Sequence, residues 1–160
     1  MPTSEPRFRE KLHPSAWIFI ATALVIPASL LVFLPIDVIA GALVAIGLYG
    51  AIVVLLVVTT PVVEVGADEL RAGRARLPLA VVADARAARG PEAVHERGVG
   101  LNAEAWLLIR GWIPDIVRVD LADPDDPTPY WIISTRRPDA LAAAILAGRD
   151  AQAPEDTQTP

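Results

Sequence analysis

The stretches SAWIFIATALVIPASLLVFLPI (residues 15–36) and VIAGALVAIGLYGAIVVLLVVTTPVV (residues 38–63) flank a lone charge, Asp37, and decide how this chain is built. The first holds 22 uncharged residues and the second 26. At 1.5 Å per helical residue, either run reaches across a hydrocarbon core about 30 Å thick. The pattern predicts a membrane α-helical hairpin, with one transmembrane helix over 15–36 and a second over 37–60, joined at a short hinge beside Pro35. Pro27 lies mid-span, removes one backbone donor and predicts a kink. A cleaved signal peptide is the main rival for the first run. That run outlasts a typical signal core, however, and continues through Leu30 to Leu34 toward another span rather than to a small-residue cleavage site.

Charges on either side of the hairpin orient it. Arg7, Arg9 and Lys11 precede the first run, the hinge has no basic residue, and Arg71, Arg74 and Arg76 follow the second. Lys and Arg near span ends resist translocation, so the expectation is a multi-pass protein of the cell membrane with both termini cytoplasmic. Residues 1–14 are then a cytoplasmic tail. Trp17 and Lys11 suit an interfacial anchor. A cation such as Arg71 beside the bilayer attracts anionic headgroups by about 1 kcal/mol, although solvation of a strand's outer face is the simpler role. Gly41, Ala45, Gly47 and Ala51 are small residues that let a neighbouring helix approach closely. Packing inside the hairpin explains them first, and a homo-oligomer through the same residues is the alternative. Asp37, beside Pro35, reads as a hinge residue rather than an intramembrane ion site.

The totals bound the rest. With 160 residues there is room for two spans and one modest domain. The absence of cysteine excludes disulfides, thiolate metal sites and cysteine nucleophiles. Thirteen arginines against the single Lys11, with abundant alanine, suit a high-GC bacterial source. After Pro61 there are 11 basic and 16 acidic side chains, net minus five, which argues against a nucleic-acid partner.

Residues 61–148 read as a cytoplasmic, mostly β domain of α+β type. Val62–Val65 forms a strand, and Glu69–Ala72 with Arg74–Leu77 flanks Gly73 as a tight hairpin, so Arg71, Arg74 and Arg76 share one ribbon. Leu79–Ala83 is a short apolar segment, and Asp84–Leu101, without firm periodicity, reads as a loop with at most a helical turn. Trp106–Ile109 suits a buried strand. Ile116–Leu121 alternates, with Val117, Val119 and Leu121 opposite Arg118 and Asp120. Tyr130–Thr135 returns as its hairpin partner across a turn of Pro and Asp, with Tyr130 and Ile132 opposite Trp131 and Ile133. Pro138 and Asp139 suit a helix start, and Leu141, Ala142, Ile145 and Leu146 make an apolar stripe that Gly148 ends. Residues 149–160 are a polar tail expected to be disordered.

The segment Asp126-Pro127-Thr128-Pro129-Tyr130-Trp131-Ile132-Ile133-Ser134-Thr135-Arg136-Arg137-Pro138, with Glu69-Leu70-Arg71 and Gly73-Arg74-Ala75-Arg76-Leu77-Pro78, resembles an actinobacterial family of two-span membrane proteins catalogued as domain of unknown function 3093. The likeness runs from about Arg7 to Ala147. It implies an actinobacterial cell membrane and carries no activity, substrate or catalytic residue. The layout of hairpin, short strands and terminal helix also resembles bacterial pleckstrin-homology-like domains.

No motif points to catalysis or a cofactor. Asp115, Asp120, Asp123, Asp125 and Asp126 supply carboxylates, but their spacing matches no calcium loop and Pro124 and Pro127 mark a solvated turn. His13 and His95 are too far apart in sequence to suggest a dyad or a metal site. Ser134 and Thr135 lack a nearby base and suit backbone hydrogen bonding at a strand-to-helix junction. Gly98 and Gly100 make no phosphate loop. Arg136 and Arg137, just before a helix start, are the candidate interaction pair for a carboxylate or phosphate; the plainer role is solvent exposure or pairing with Asp120 or Asp139. Trp106, Trp112 and Trp131 suit core or anchor positions. The leading expectation is therefore a non-enzymatic, membrane-tethered module that binds a protein or lipid headgroups. An accessory subunit of a transporter or channel, using the Gly41–Ala51 face, is the alternative. An enzyme using the acidic loop is the third.

Overall fold

Asp37 starts the long helix of the apolar region: its carboxylate accepts hydrogen bonds from the Ile39 and Ala40 amides at 2.7 and 3.1 Å. This satisfies two of the donors that a helix start leaves open. The computed structural model, which describes residues 5–124 and 126–152, divides into two compact units, residues 13–60 and the remainder. In the first unit, helices α1 (Ala16–Thr22) and α2 (Val25–Phe33) are separated by a break at Ala23 and Leu24, and α3 spans Val38–Val58. The break falls one turn before Pro27, where the proline ring crowds the carbonyl four residues back. Both Ala16–Phe33 and Val38–Val58 are long and apolar enough to cross a membrane.

The four small residues of α3 do not share a face. Gly41 and Ala45 are buried, and a Cβ at Gly41 would sit 2.8 Å from Phe33 Cβ, so these two let α2 and α3 close on each other. Gly47 and Ala51 are exposed and lie to the other side. Six residues along an α-helix is about 600°, which turns Gly47 well away from Gly41.

The second unit is built on two four-stranded sheets. The first runs in the order β1 (Phe8–Lys11), β2 (Val62–Val65), β3 (Glu69–Ala72), β4 (Ala75–Pro78), all antiparallel. Within the expected tail of residues 1–14, Phe8–Lys11 is therefore a strand. Phe8 and Leu12 alternate with Arg9 and Lys11, and their inward face completes the core beside Val63, Val65 and Leu70. The hairpin of β3 and β4 turns at Gly73, whose φ of 63° is open to glycine and strained for most other residues.

After a 3₁₀ turn at Leu79–Val81 the second sheet runs β5 (Val82–Ala88), β7 (Ile116–Leu121), β8 (Tyr130–Ser134), β6 (Trp106–Leu108). The predicted hairpin of β7 and β8 is present, while β6 pairs with β8 in parallel. Asp84–Leu101 is not a loop: its first part is β5, and α4 occupies Gly90–Arg97. The alanines and arginines of β5 obscure its alternation, because Ala85 and Ala88 mark its core contacts in place of large apolar side chains. Inward residues of both sheets meet in one core with α5 (Pro138–Asp150), which contributes Leu141, Ala142 and Ile145.

Ala93 of α4 covers the other face of the second sheet with Ile116, Tyr130 and Ile132. All five residues of β8 are therefore buried. Gly148 does not end α5 but lies within it, where an added Cβ would fall 2.5 Å from Leu79 Cδ1; its role is close approach. Of the expected tail, Arg149 and Asp150 belong to α5 and residues 151–152 form a turn, while 153–160 lie outside the described residues.

Candidate functional site

The sheet register gathers the basic residues that the sequence left scattered. Arg9 of β1 lies opposite Glu64 of β2, Glu64 opposite Arg71 of β3, and Arg71 opposite Arg76 of β4. One row of charges thus crosses all four strands on the face turned away from the core. Arg9 approaches Glu64 at 3.5 Å, while Glu69 receives both Arg71 at 2.5 Å and Arg76 at 3.7 Å. Direct opposition of Arg71 and Arg76 would be repulsive, and the shared Glu69 carboxylate offsets it. Among the described residues Lys11 and Arg74 form no ion pair. Five cations against two carboxylates leave this face at plus three, although the chain carries minus five.

Arg136 and Arg137 have separate neighbours. Both precede α5, yet their guanidinium groups are held separately. Arg136 lies 3.9 Å from the buried carboxylate of Glu10. Arg137 donates from Nη2 to the Arg9 carbonyl at 2.7 Å and stacks over the Phe8 ring, 4.5 Å from its centroid. Neither pairs with the partners expected for it. Asp120 is taken by Arg86 and Arg118, and Asp139 by Arg89. Asp139 in the first turn of α5 already supplies the negative charge that a helix start favours.

Glu10 organises this junction, and the sequence reading passed over it as one residue of a basic tail. Its carboxylate accepts hydrogen bonds from the Thr135 hydroxyl at 2.5 Å and the Arg136 amide at 3.1 Å. Thr135 Oγ1 in turn accepts from the Arg137 amide at 3.1 Å, and Ser134 Oγ accepts from the Arg110 amide at 3.0 Å. Both hydroxyls thus bond to backbone at the strand-to-helix junction, and Thr135 also ties it to β1. The available signal was the alternation Phe8, Glu10, Leu12, with a carboxylate where an apolar residue is expected.

The acidic residues are dispersed among local roles. Asp120 and Glu96 hold Arg118, whose guanidinium sits 3.7 Å from the centre of the Tyr130 ring. Burial disfavours the charged form of Arg118, and hydrogen bonds from Arg118 to Asp120 and Glu96 outweigh that, leaving its pKa raised. Hydrogen bonds from the Thr128 side chain and, at 2.8 Å, from the Thr128 amide lower the pKa of Asp126. Asp115 lies 3.9 Å from Arg89, and Asp125 lies outside the described residues. Among the described residues no group of three or more His, Asp or Glu is placed to hold a metal. Trp131 stacks on Trp106 with ring centres 4.0 Å apart, and Arg110 lies 6.0 Å from the Trp112 ring centre.

One pH dependence follows from this arrangement. The hydrogen bond from Arg89 holds the Asp139 carboxyl below the usual range. A depressed folded-state pKa means that the pair's contribution is present above the ordinary carboxylate range and is lost as pH falls through the depressed value. Carboxyl NMR is expected to show Asp139 titrating below the model-peptide value of about 3.9. Arg89→Ala should return it toward that value, and an unchanged midpoint in the variant would show that the pair does not form in solution.

No curated protein and no solved structure matches the chain. A family model described as "Protein of unknown function (DUF3093)" matches residues 7–145, which takes in both apolar helices, both sheets and most of α5. The chain belongs to this family.

Proposed function

We propose that the chain is a two-span integral protein of an actinobacterial cell membrane whose β-rich unit is a cytoplasmic, non-enzymatic interaction module for a protein or for lipid headgroups. The observation that carries the reading is the uncovered state of the apolar helices. No residue of Ala16–Phe33 is buried, and in Val38–Val58 only Gly41 and Ala45 are. Ile20, Leu31, Ile39 and Val58 are each more than 70% exposed. Apolar area at this scale costs about 25 cal/mol per Å² in water, so a hydrocarbon solvent suits these faces.

Support for both termini on one side comes from β1 and β2. The strand before the helices pairs with the strand after them, Lys11 opposite Val62, and the Leu12 amide donates to the Pro61 carbonyl at 3.0 Å. A segment that leaves and re-enters one sheet at adjacent positions returns to the side from which it started. Positive charge at both flanks then favours the cytoplasmic side. The pleckstrin-homology-like reading is supported by two antiparallel-rich sheets closed by a C-terminal helix, and the parallel pairing of β6 with β8 departs from an all-antiparallel layout.

Reporter fusions at the Pro35–Asp37 hinge and at the C-terminus test this, together with alkaline extraction of membranes. The expected result is a membrane-retained chain with an external hinge and an internal C-terminus. Release of the chain into the aqueous fraction, or digestion of its C-terminus by protease outside intact cells, would overturn the reading. The accessory-subunit reading draws on Gly47, where added side-chain atoms meet nothing within 4 Å. Under it, Gly47→Leu breaks assembly with a membrane partner and leaves the β-rich unit folded.

A further inference from the structure

We propose that the outward face of the first sheet, carrying Arg9, Lys11, Arg71 and Arg76, together with Arg74 in the adjoining turn, docks on the anionic phospholipid headgroups of the bilayer that holds the chain's own helices. The proposal rests on the membrane reading above and names the ligand of the module.

Position is set by the chain itself. Lys11 is five residues before Ala16 and Val62 four residues after Val58, so each lies within about 18 Å of an apolar helix even when the link is fully extended. Arg74 lies 16 residues beyond Val58 in sequence, and only the sheet brings it back. The Gly73 amide donates to the Val62 carbonyl at 2.8 Å, and Ala72 lies opposite Val63 and Ala75 in its two strand pairs. The turn of β3 and β4 therefore shares the end of the sheet at which the chain leaves for the helices and returns from them. The opposite end, at Gly66–Asp68, is capped by Gln152 of the C-terminal turn, whose side-chain amide donates to the Ala67 carbonyl at 3.1 Å.

Charge is set the same way. The two residues on this face without an ion pair among the described residues, Lys11 and Arg74, are those at the helix-proximal end. The paired arginines stand one row further away with Glu64, and Glu69 lies one row beyond them. Free positive charge is thus graded toward the end of the sheet where β1 ends and β2 begins. An anionic headgroup layer complements that arrangement, each cation contributing about a five-fold gain in local association that falls off within a Debye length of about 10 Å. An acidic protein would also complement the charge, but chain connectivity favours the lipid, which is within reach of this face in every copy of the protein.

The lack of native cysteine allows a clean test. The full chain is reconstituted with a spin label at Arg74→Cys or, as a control, at Ala67→Cys, in bilayers of phosphatidylcholine alone or with one-third phosphatidylglycerol. Relaxation by a headgroup-tethered paramagnet is read at each label. The expected result is at least a two-fold enhancement at position 74 in the anionic bilayer, reversed by 0.5 M salt and by Lys11→Glu with Arg76→Glu, and no change at position 67. Equal relaxation in the two bilayers, or an equal response at both labels, overturns the proposal even when alkaline extraction shows the chain firmly inserted. Protection of position 74 only by a protein from cell extract, with no dependence on lipid, also overturns it. Alkaline release of the chain instead overturns the membrane reading itself, so the two failures are distinguishable.

Discussion

Trp131→Ala is expected to destabilise the β-rich unit by about 3–5 kcal/mol, the range for deleting a large aromatic from a packed core. Trp131 is 6% exposed in β8, flanked by β7 and β6, with Val119 opposite it on one side and Trp106 on the other. Its ring stacks on Trp106 with an interplanar angle of 29°, an arrangement that adds about 0.5–1.5 kcal/mol beyond area burial. Truncation would leave a cavity that its neighbours in the same sheet, Val117, Val119 and Ile133, all of them fully buried, cannot fill without moving. Urea unfolding of the full chain in detergent, followed by far-UV circular dichroism of the β signal, measures the loss. Trp131→Phe keeps a ring in place and should cost clearly less. A loss below about 1 kcal/mol for the alanine variant would show that the sheets do not close over this residue as described.

Glu10→Ala is the second large effect, expected at about 2–5 kcal/mol. The change leaves the fully buried Thr135 hydroxyl and the Arg136 amide without their acceptor, and each unsatisfied group costs about 1–3 kcal/mol. Arg136 loses a neighbouring carboxylate as well. Glu10→Gln preserves volume but points an amide donor at one of the two donors, so it should lie between the wild type and alanine. Combining Glu10→Ala with Thr135→Val tests the coupling directly. The double variant should be at least about 1 kcal/mol more stable than the sum of the single losses predicts, because the orphaned hydroxyl is gone. Additive losses would mean that β1 and the β8–α5 junction do not communicate through this bond. Faster amide exchange in β1 of Glu10→Ala gives an independent readout.

These residues also mark how far the sequence could be read. The β7–β8 hairpin was legible because Ile116–Leu121 and Tyr130–Ser134 are strong strand formers bracketing a turn of Pro and Asp. The two faces of β8 are legible in its alternation as well, since Trp131 and Ile133 join one core and Tyr130 and Ile132 the other. By contrast, β5 hid behind alanines that do not look apolar enough for a strand: Ala85 joins the core with α5, and Ala88 the cluster with Ala93 of α4. Strand β1 hid because Arg7, Arg9 and Lys11 read as flanking charge, and its partner lies some 50 residues away across the helices. The partners of Arg136 and Arg137 were misassigned for the same reason: the nearer-seeming Asp120 and Asp139 are held by arginines on other strands or loops, and Glu10 is more than 120 residues distant in sequence.

Local chemistry alone therefore established two apolar helices with a hinge at Pro35–Asp37, a mostly antiparallel β unit and a closing helix, since periodicity, turn residues and uninterrupted apolar length are all properties of neighbouring residues. It also showed that basic residues border the apolar runs. Tertiary structure decided that the segment before the helices is a strand of the sheet that follows them, that Gly41 and Gly47 face different ways, that Glu10 rather than an aspartate meets Arg136, and that Arg74 stands at the end of the sheet where β1 ends and β2 begins. Those facts depend on pairing across long stretches of chain, and register over such distances is selected by burial and closure of the whole core rather than by any window of sequence.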